Sequence, residues 1–253
     1  MSAGMPHAEQ PAAPAHNTTV EPVLVVQHLE VGIAGKTVVR DVDFSLPPRA
    51  SLAVIGPNGA GKTLLLQSLL GLIPSRGNIR WRTGANLGYV PQRVETDARL
   101  PLRAGELLHA KAKIQRLPES DVRAAVDWAG LGPLLEQRVG TLSSGQFQRM
   151  LIAFALSGSP EVLLVDEPTA SLDELVEEHI FELLEKARRE RGMTIILVSH
   201  DLTLVRGTAS HVLCLGGGKA WFGTAEEMLV PEVLERVYSH PLEFHSHDLE
   251  GKA

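Results

Sequence analysis

The stretch GPNGAGKT, residues 56–63, joins the apolar run SLAVI (51–55) to the leucine-rich run TLLLQSLLGL (63–72). Three glycines in eight residues suit neither a strand nor a helix. They suit a backbone that must bend sharply and approach a ligand closely. The order Gly56, Pro57, Asn58, Gly59, Ala60, Gly61, Lys62, Thr63 matches the pattern G-x-x-x-x-G-K-[ST], in which backbone N–H groups converge on phosphate oxygens. The helix expected after it turns its positive end toward the same anion. In this reading Lys62 reaches the terminal phosphates and the Thr63 hydroxyl binds Mg²⁺. A strand, a glycine loop and a helix in succession are the setting such a loop needs, which a chance glycine-rich turn would not share.

The chain has 253 residues, with 24 basic and 30 acidic side chains and a net charge of −6. That length allows one large or two small domains. The acidic balance speaks against a nucleic-acid surface. A single cysteine, Cys214 in HVLCL, excludes an internal disulfide framework and reads as a buried, inert thiol in a reducing compartment. Residues 1–21 are rich in Ala, Pro and small polar residues, with neither Lys nor Arg. They read as a disordered leader and not as a secretory signal. No run approaches the ~18 uncharged apolar residues of a membrane span, so a soluble chain that docks on a membrane protein is expected.

Along the chain, VLVVQHLEVGI (23–33) and TVVRDVDFSL (37–46) read as an antiparallel hairpin, and Pro47–Pro48 break the chain before the next strand. GNIRWR and NLGYVPQ read as a further strand pair. From 93 to about 158 the texture turns helical. SDVRAAVDWAG places Val122, Ala125, Val126 and Ala129 on one face, with Ser120 as the expected cap and Gly130 as the stop. EVLLVD (161–166) is almost wholly apolar, as befits a parallel strand buried on both faces. ELVEEHIFELLEKARRERG is an amphipathic helix with Val176, Ile180, Leu183, Leu184 and Ala187 on its apolar stripe and Gly192 as its end. TIILVSH is another buried strand, and HVLCL and GKAWFG flank Gly216–Gly218 as a hairpin. The expected fold class is α/β, a phosphate-loop NTPase core with an antiparallel β subdomain and an inserted α-helical subdomain. The expected division is 1–21 leader, 22–223 ATPase domain with the helical insert at about 93–158, and 224–253 C-terminal extension.

A phosphate loop needs a further Mg²⁺ ligand and a group that activates water. VLLVDEP supplies both at the end of an uninterrupted apolar strand: Asp166 for Mg²⁺ and Glu167 for the attacking water. A pair of acids capping a turn before Pro168 would not require that strand. LSSGQ (142–146) then precedes a helical run, FQRMLIAFAL.

These residues resemble the ABC-transporter ATPases, whose signature LSGGQ opens a helix. The resemblance spans roughly 23–223 and follows the family's order: phosphate loop, glutamine loop (Gln92 in GYVPQ), signature, Walker B strand, D-loop (Asp173 in SLDE) and switch histidine (His200 in VSHD). It implies ATP and Mg²⁺ as cofactors, with Thr63, Gln92 and Asp166 around the metal. It implies Glu167, His200, Gln92 and Lys62 as the catalytic set. Ser143, Gly145 and Gln146 would contact ATP held by a second copy of the chain, a homodimer in which each copy covers the other's nucleotide. Two departures stand out. Ser144 replaces the signature's first glycine, and Ile33 stands where an aromatic commonly stacks on adenine.

One set of nucleotide motifs and no span resemble the separate ATPase of a bacterial importer. Such a subunit lies peripherally on the cytoplasmic face of the membrane. Its partners are an integral permease and, indirectly, a solute-binding protein, without nucleic acid. Lys62 and Gln92 stand 30 positions apart. That short segment, with LGYVPQ and DARLPLRAGELL, resembles the zinc and manganese importer branch. The tail SHPLEFHSHDLE adds His240, His245 and His247 near Asp248, an imidazole–carboxylate set able to ligate Zn²⁺ or simply a solvated end. Rival expectations are an ATPase for iron or an organic solute, and a soluble ATPase of repair or translation. The last is disfavoured because the chain has neither a second ATPase unit nor a coiled-coil insertion.

Overall fold

The computed structural model describes residues 21–92, 94, 101–169 and 174–238. The leader up to residue 20, Asp173, and His240, His245 and His247 lie outside them, as does most of 93–100.

β1 (Leu24–Ile33) and β2 (Lys36–Leu46) form the expected hairpin. β3 (Ser51–Ile55) is wholly buried and feeds the phosphate loop into α1 (Lys62–Leu69). α1 stops at Leu69 and does not run to Leu72, because Leu70 caps it and Gly71 turns at φ 69°. β4 (Ser75–Trp81) and β5 (Leu87–Val90) follow, but they do not pair with each other. β4 joins β1 to complete a three-stranded antiparallel sheet in the order β2-β1-β4. β5 instead becomes the edge of a six-stranded sheet.

The next stretch holds α2 (Ala104–Gln115), α3 (Glu119–Trp128) and α4 (Ser144–Leu156), with 3₁₀ turns at Gly132–Leu134 and Val139–Thr141. α3 buries Val122, Ala125 and Val126 as its spacing demands. Its cap is Pro118, not Ser120: a proline needs no N–H partner at a helix start, and Ser120 lies inside the first turn. β6 (Val162–Asp166), α5 (Glu174–Arg191), β7 (Thr194–Val198), α6 (Leu202–Thr208), β8 (His211–Gly216), β9 (Lys219–Thr224), α7 (Ala225–Met228) and α8 (Pro231–Tyr238) complete the chain.

The large sheet runs β5-β6-β7-β3-β8-β9, parallel except for the last pair. Alternation along its strands sorts residues into cores. Leu163, Val165, Ile195 and Leu197 face the helices α2–α5. Val162, Leu164, Ile196 and Val198 face α1 and the antiparallel sheet. Ala53, Ile55, Val212 and Cys214 face α6–α8. Each large aliphatic removed from water in this way contributes roughly 1.5–3 kcal/mol. Burial also pushes the Cys214 thiol up to about 12, so it stays protonated and inert. Because β5, β6, β7 and β3 are parallel, their carboxyl ends share one edge of the sheet. Ligands of open parallel sheets bind at that edge.

Candidate functional site

Four strand ends build the site. The loop 56–61 leaves β3, Gln92 follows β5, Asp166 ends β6 with Glu167 next, and His200 lies two residues beyond β7. β6 and β7 pair with Asp166 opposite Val198, and the Glu167 N–H donates to the Val198 carbonyl at 3.1 Å. His200 is exposed, two residues past the Val198 that pairs with Asp166.

The glycines are dictated by sterics. A Cβ on Gly56, at φ 149°, would lie 2.0 Å from the Leu215 carbonyl oxygen. One on Gly61, at φ 97°, would lie 2.5 Å from Val39 Cγ2. The loop is thus wedged between β8 on one side and the β1–β2 hairpin on the other. Gly61 caps α1 without a side-chain oxygen, so no side chain competes with an anion for the first-turn N–H groups.

Lys62, only 6% exposed, donates from Nζ to the Gly56 carbonyl at 3.0 Å and the Pro57 carbonyl at 3.4 Å, and lies 3.6 Å from Glu167 Oε1. Gln92 Nε2 donates to Glu167 Oε2 at 2.7 Å. Glu167 itself sits at φ 40°. A non-glycine residue held there costs of order 1 kcal/mol, the kind of strain that clusters at functional sites. Thr63 Oγ1 donates to Asp166 Oδ1 at 3.2 Å, and Asp166 Oδ2 is buried without a hydrogen-bond partner. Burial is the main cause that raises the Asp166 pKa, opposed by the Thr63 bond. Burial, with a smaller contribution from the Asp166 charge, pushes the Tyr89 phenol up to about 12. A buried carboxylate oxygen left unsatisfied beside a hydroxyl is a fit for a hard cation that takes oxygen ligands.

Hydrogen bonds and the ion pair therefore draw Gly56, Pro57, Lys62, Thr63, Gln92, Asp166 and Glu167 into one cluster. Ser143, Gly145 and Gln146 stand elsewhere, at the start of α4, which packs on α2, α3 and β5. Ser143 caps the helix by accepting from the Gln146 N–H, while its own N–H donates to Gln146 Oε1. A Cβ on Gly145 would lie 2.7 Å from Val176 Cγ1 of α5. Ser144 is the first residue of α4 and is exposed. Ile33 is 60% exposed at the tip of the hairpin whose Val38 and Val39 abut Gly61.

Sequence reasoning missed three neighbours of the loop: Val38, Val39 and Leu215. A fourth is Tyr238, whose phenol is raised by burial and meets an opposing hydrogen bond from the Gly56 backbone. Nothing in the spacing of these residues signals the loop, because each approaches it from a distant part of the chain.

The family model described as ABC transporter matches residues 39–170. The chain is 39% identical over 194 residues to the zinc import ATP-binding protein ZnuC of Cereibacter sphaeroides, covering 76% of this chain and 79% of the relative. It is 36% identical over 244 residues to the protein of that name from Yersinia pestis, covering 91% and 95%. Among solved structures, a chain of an inward-facing metal-chelate type ABC transporter superposes with a TM-score of 0.79 at 25% identity, covering 87% of this chain and 90% of that one. CbiO1 of Clostridium perfringens, part of the transporter complex cbiONQ, gives 0.71 at 26% identity, covering 85% and 94%.

Proposed function

The chain belongs to the ABC transporter family, and from that premise we propose that it is the ATP-hydrolysing subunit of a zinc importer, seated on the cytoplasmic side of an integral permease. The observation that carries the substrate is the similarity, over most of both chains, to proteins named for zinc import. Among the described residues no helix is long and apolar enough to cross a membrane, so a permease must supply the path.

The loop N–H groups and Lys62 bind the phosphates of ATP. Thr63 and Asp166, with the Gln92 amide oxygen, are the residues that would hold Mg²⁺, which when bound neutralises phosphate charge. Glu167 orients a water and accepts its proton at a carboxylate oxygen as the water oxygen bonds to the γ-phosphorus and ADP departs. His200 steadies the γ-phosphate from the end of β7. Without nucleotide, Lys62 and Gln92 each hold one oxygen of the Glu167 carboxylate; when ATP binds, Lys62 turns to phosphate and Gln92 keeps its hold. Ser143, Gly145 and Gln146 contact ATP on a second copy, in keeping with a second helix N-terminus for phosphate in the same chain. Asp173 completes that contact. Gln92, joined to Glu167, also reports to the permease, whose short helix docks beside Gln92 between the α/β core and the inserted helices. Two states of that contact, biased by nucleotide, are what coupling requires.

The metal-chelate neighbour favours a second reading, uptake of a chelated metal. Vesicles holding the chain with its permease distinguish the two. ATP-driven accumulation of Zn²⁺, lost with Glu167→Gln, is the expected result. Accumulation of a chelate but not of Zn²⁺ would install the second reading.

A further inference from the structure

Away from the strand ends, the β1–β2 hairpin gathers three donor side chains. Its register slips between Val26, opposite Phe44, and Leu29, opposite Val42, so that Gln27 and His28 together oppose the single residue Asp43. Such a bulge re-aims side chains and bends the strand. Here it turns His28 toward β2. His28 Nδ1 lies 3.0 Å from Asp41 Oδ1 and 3.6 Å from Asp43 Oδ2, and one donor atom of each residue falls within 4.8 Å of the other two. The His28 N–H donates to Asp43 Oδ1 at 3.0 Å, which fixes that carboxylate and leaves Oδ2 beside the imidazole. Metal-ligating carboxylates are commonly oriented by such a bond.

The separations have a chemical meaning. Zinc bonds to nitrogen and oxygen of ~2.0–2.2 Å at tetrahedral angles place neighbouring ligand atoms roughly 3.3–3.5 Å apart. Here the 3.0 Å contact is a hydrogen bond between His28 and Asp41, whose proton an ion would replace, and the 3.6 Å separation from Asp43 already matches that spacing. All three side chains are exposed, so an ion can enter and water can complete its shell. We infer that His28, Asp41 and Asp43 form a surface site for a divalent transition-metal cation, held by one imidazole nitrogen and two carboxylate oxygens with solvent in the remaining position. Two carboxylates and a neutral imidazole balance the +2 charge. The imidazole selects zinc and its neighbours over magnesium and calcium, which prefer oxygen alone. The site ties β1 to β2 close to Val39, the residue that abuts Gly61 of the phosphate loop. It stands on hairpin geometry and not on the transport reading, so each can fail without the other.

The test is a calorimetric titration of Zn²⁺ alone into the full chain with His240, His245 and His247 changed to alanine, which removes the tail imidazoles. One ion binds per chain, Mg²⁺ in excess does not displace it, and His28→Ala and Asp43→Asn each weaken it at least about tenfold. Asp41→Asn keeps the shape of an exposed side chain and decides the matter if either of the others fails to melt cooperatively. Absence of Zn²⁺ binding in the parent, or parental affinity retained by Asp41→Asn or by a His28→Ala chain that melts cooperatively, overturns the site.

Discussion

Glu167→Gln separates ATP binding from ATP hydrolysis, and the structure sets the size of each effect. Lys62 Nζ and Glu167 Oε1 are 3.6 Å apart, with only 6% and 16% of their side chains exposed. Turning Lys62 from that carboxylate toward phosphate breaks the pair. Unit charges at this distance attract by roughly 4–5 kcal/mol at an effective dielectric of 20. Most of that is offset by desolvation, and bonds to a charged group net about 1.5–3 kcal/mol. Glutamine removes this competition, and with it the repulsion between carboxylate and phosphate. It keeps the link to Gln92, because its amide oxygen accepts from the Nε2 group that now donates to Glu167 at 2.7 Å. ATP affinity should therefore rise about 10- to 150-fold. Hydrolysis should fall by roughly 10²–10⁴, since nothing remains to take the proton from water. Titration with a fluorescent ATP analogue and phosphate release, on one preparation with Mg²⁺, measure both. A hydrolysis rate within tenfold of the parent refutes Glu167 as the base. Unchanged or weaker ATP binding in a chain that melts normally refutes the ion-pair argument.

Gly61→Ala should weaken ATP binding and lower the melting temperature, because its Cβ would lie 2.5 Å from Val39 Cγ2 at φ 97°. The left-handed backbone and the overpacking together cost about 2–5 kcal/mol, and Val39→Ala should restore part of the loss; a double variant no better than Gly61→Ala would refute the clash. Asp166→Asn should abolish Mg²⁺-dependent ATP turnover yet raise the melting temperature of the nucleotide-free chain at neutral pH by ~2–4 °C for about 1 kcal/mol. Because burial raises the folded-state pKa, the native state holds the Asp166 proton more tightly than the unfolded chain. Its charge therefore costs stability once pH exceeds the ordinary value of 3.8, so the gap between variant and parent opens above that pH and levels off beyond the raised value. A gap that is absent at every pH would count against a buried, uncompensated carboxylate. Ser143→Glu should block dimer formation by the Glu167→Gln chain with ATP, by placing a negative charge where the signature meets a neighbour's phosphates. Light scattering that still detects an ATP-dependent dimer would remove the signature from that interface.

Local chemistry determined much of this protein. GPNGAGKT could be read as a phosphate loop because its steric demand lies within eight consecutive residues, with a strand before it and a helix after. The apolar runs 162–166 and 194–198 could be read as buried parallel strands, and Asp166 and Glu167 as their chemical end, because burial on both faces leaves a composition signal. What the tertiary structure decided was pairing and proximity. Neighbouring segments 75–81 and 87–90 went to different sheets, since strand partners are chosen by which apolar face finds cover and not by order along the chain. Thr63 met Asp166 and Gln92 met Glu167 across 103 and 75 positions of sequence. Val39 and Leu215 closed on the loop from opposite sides, which explains why Gly61 and Gly56 leave no room for a side chain. The His28–Asp41–Asp43 cluster left no trace in spacing, because a one-residue bulge in β1 created it. A side chain's type and its near neighbours are written locally, whereas a site made across strands depends on register, and register is settled only when the sheet folds.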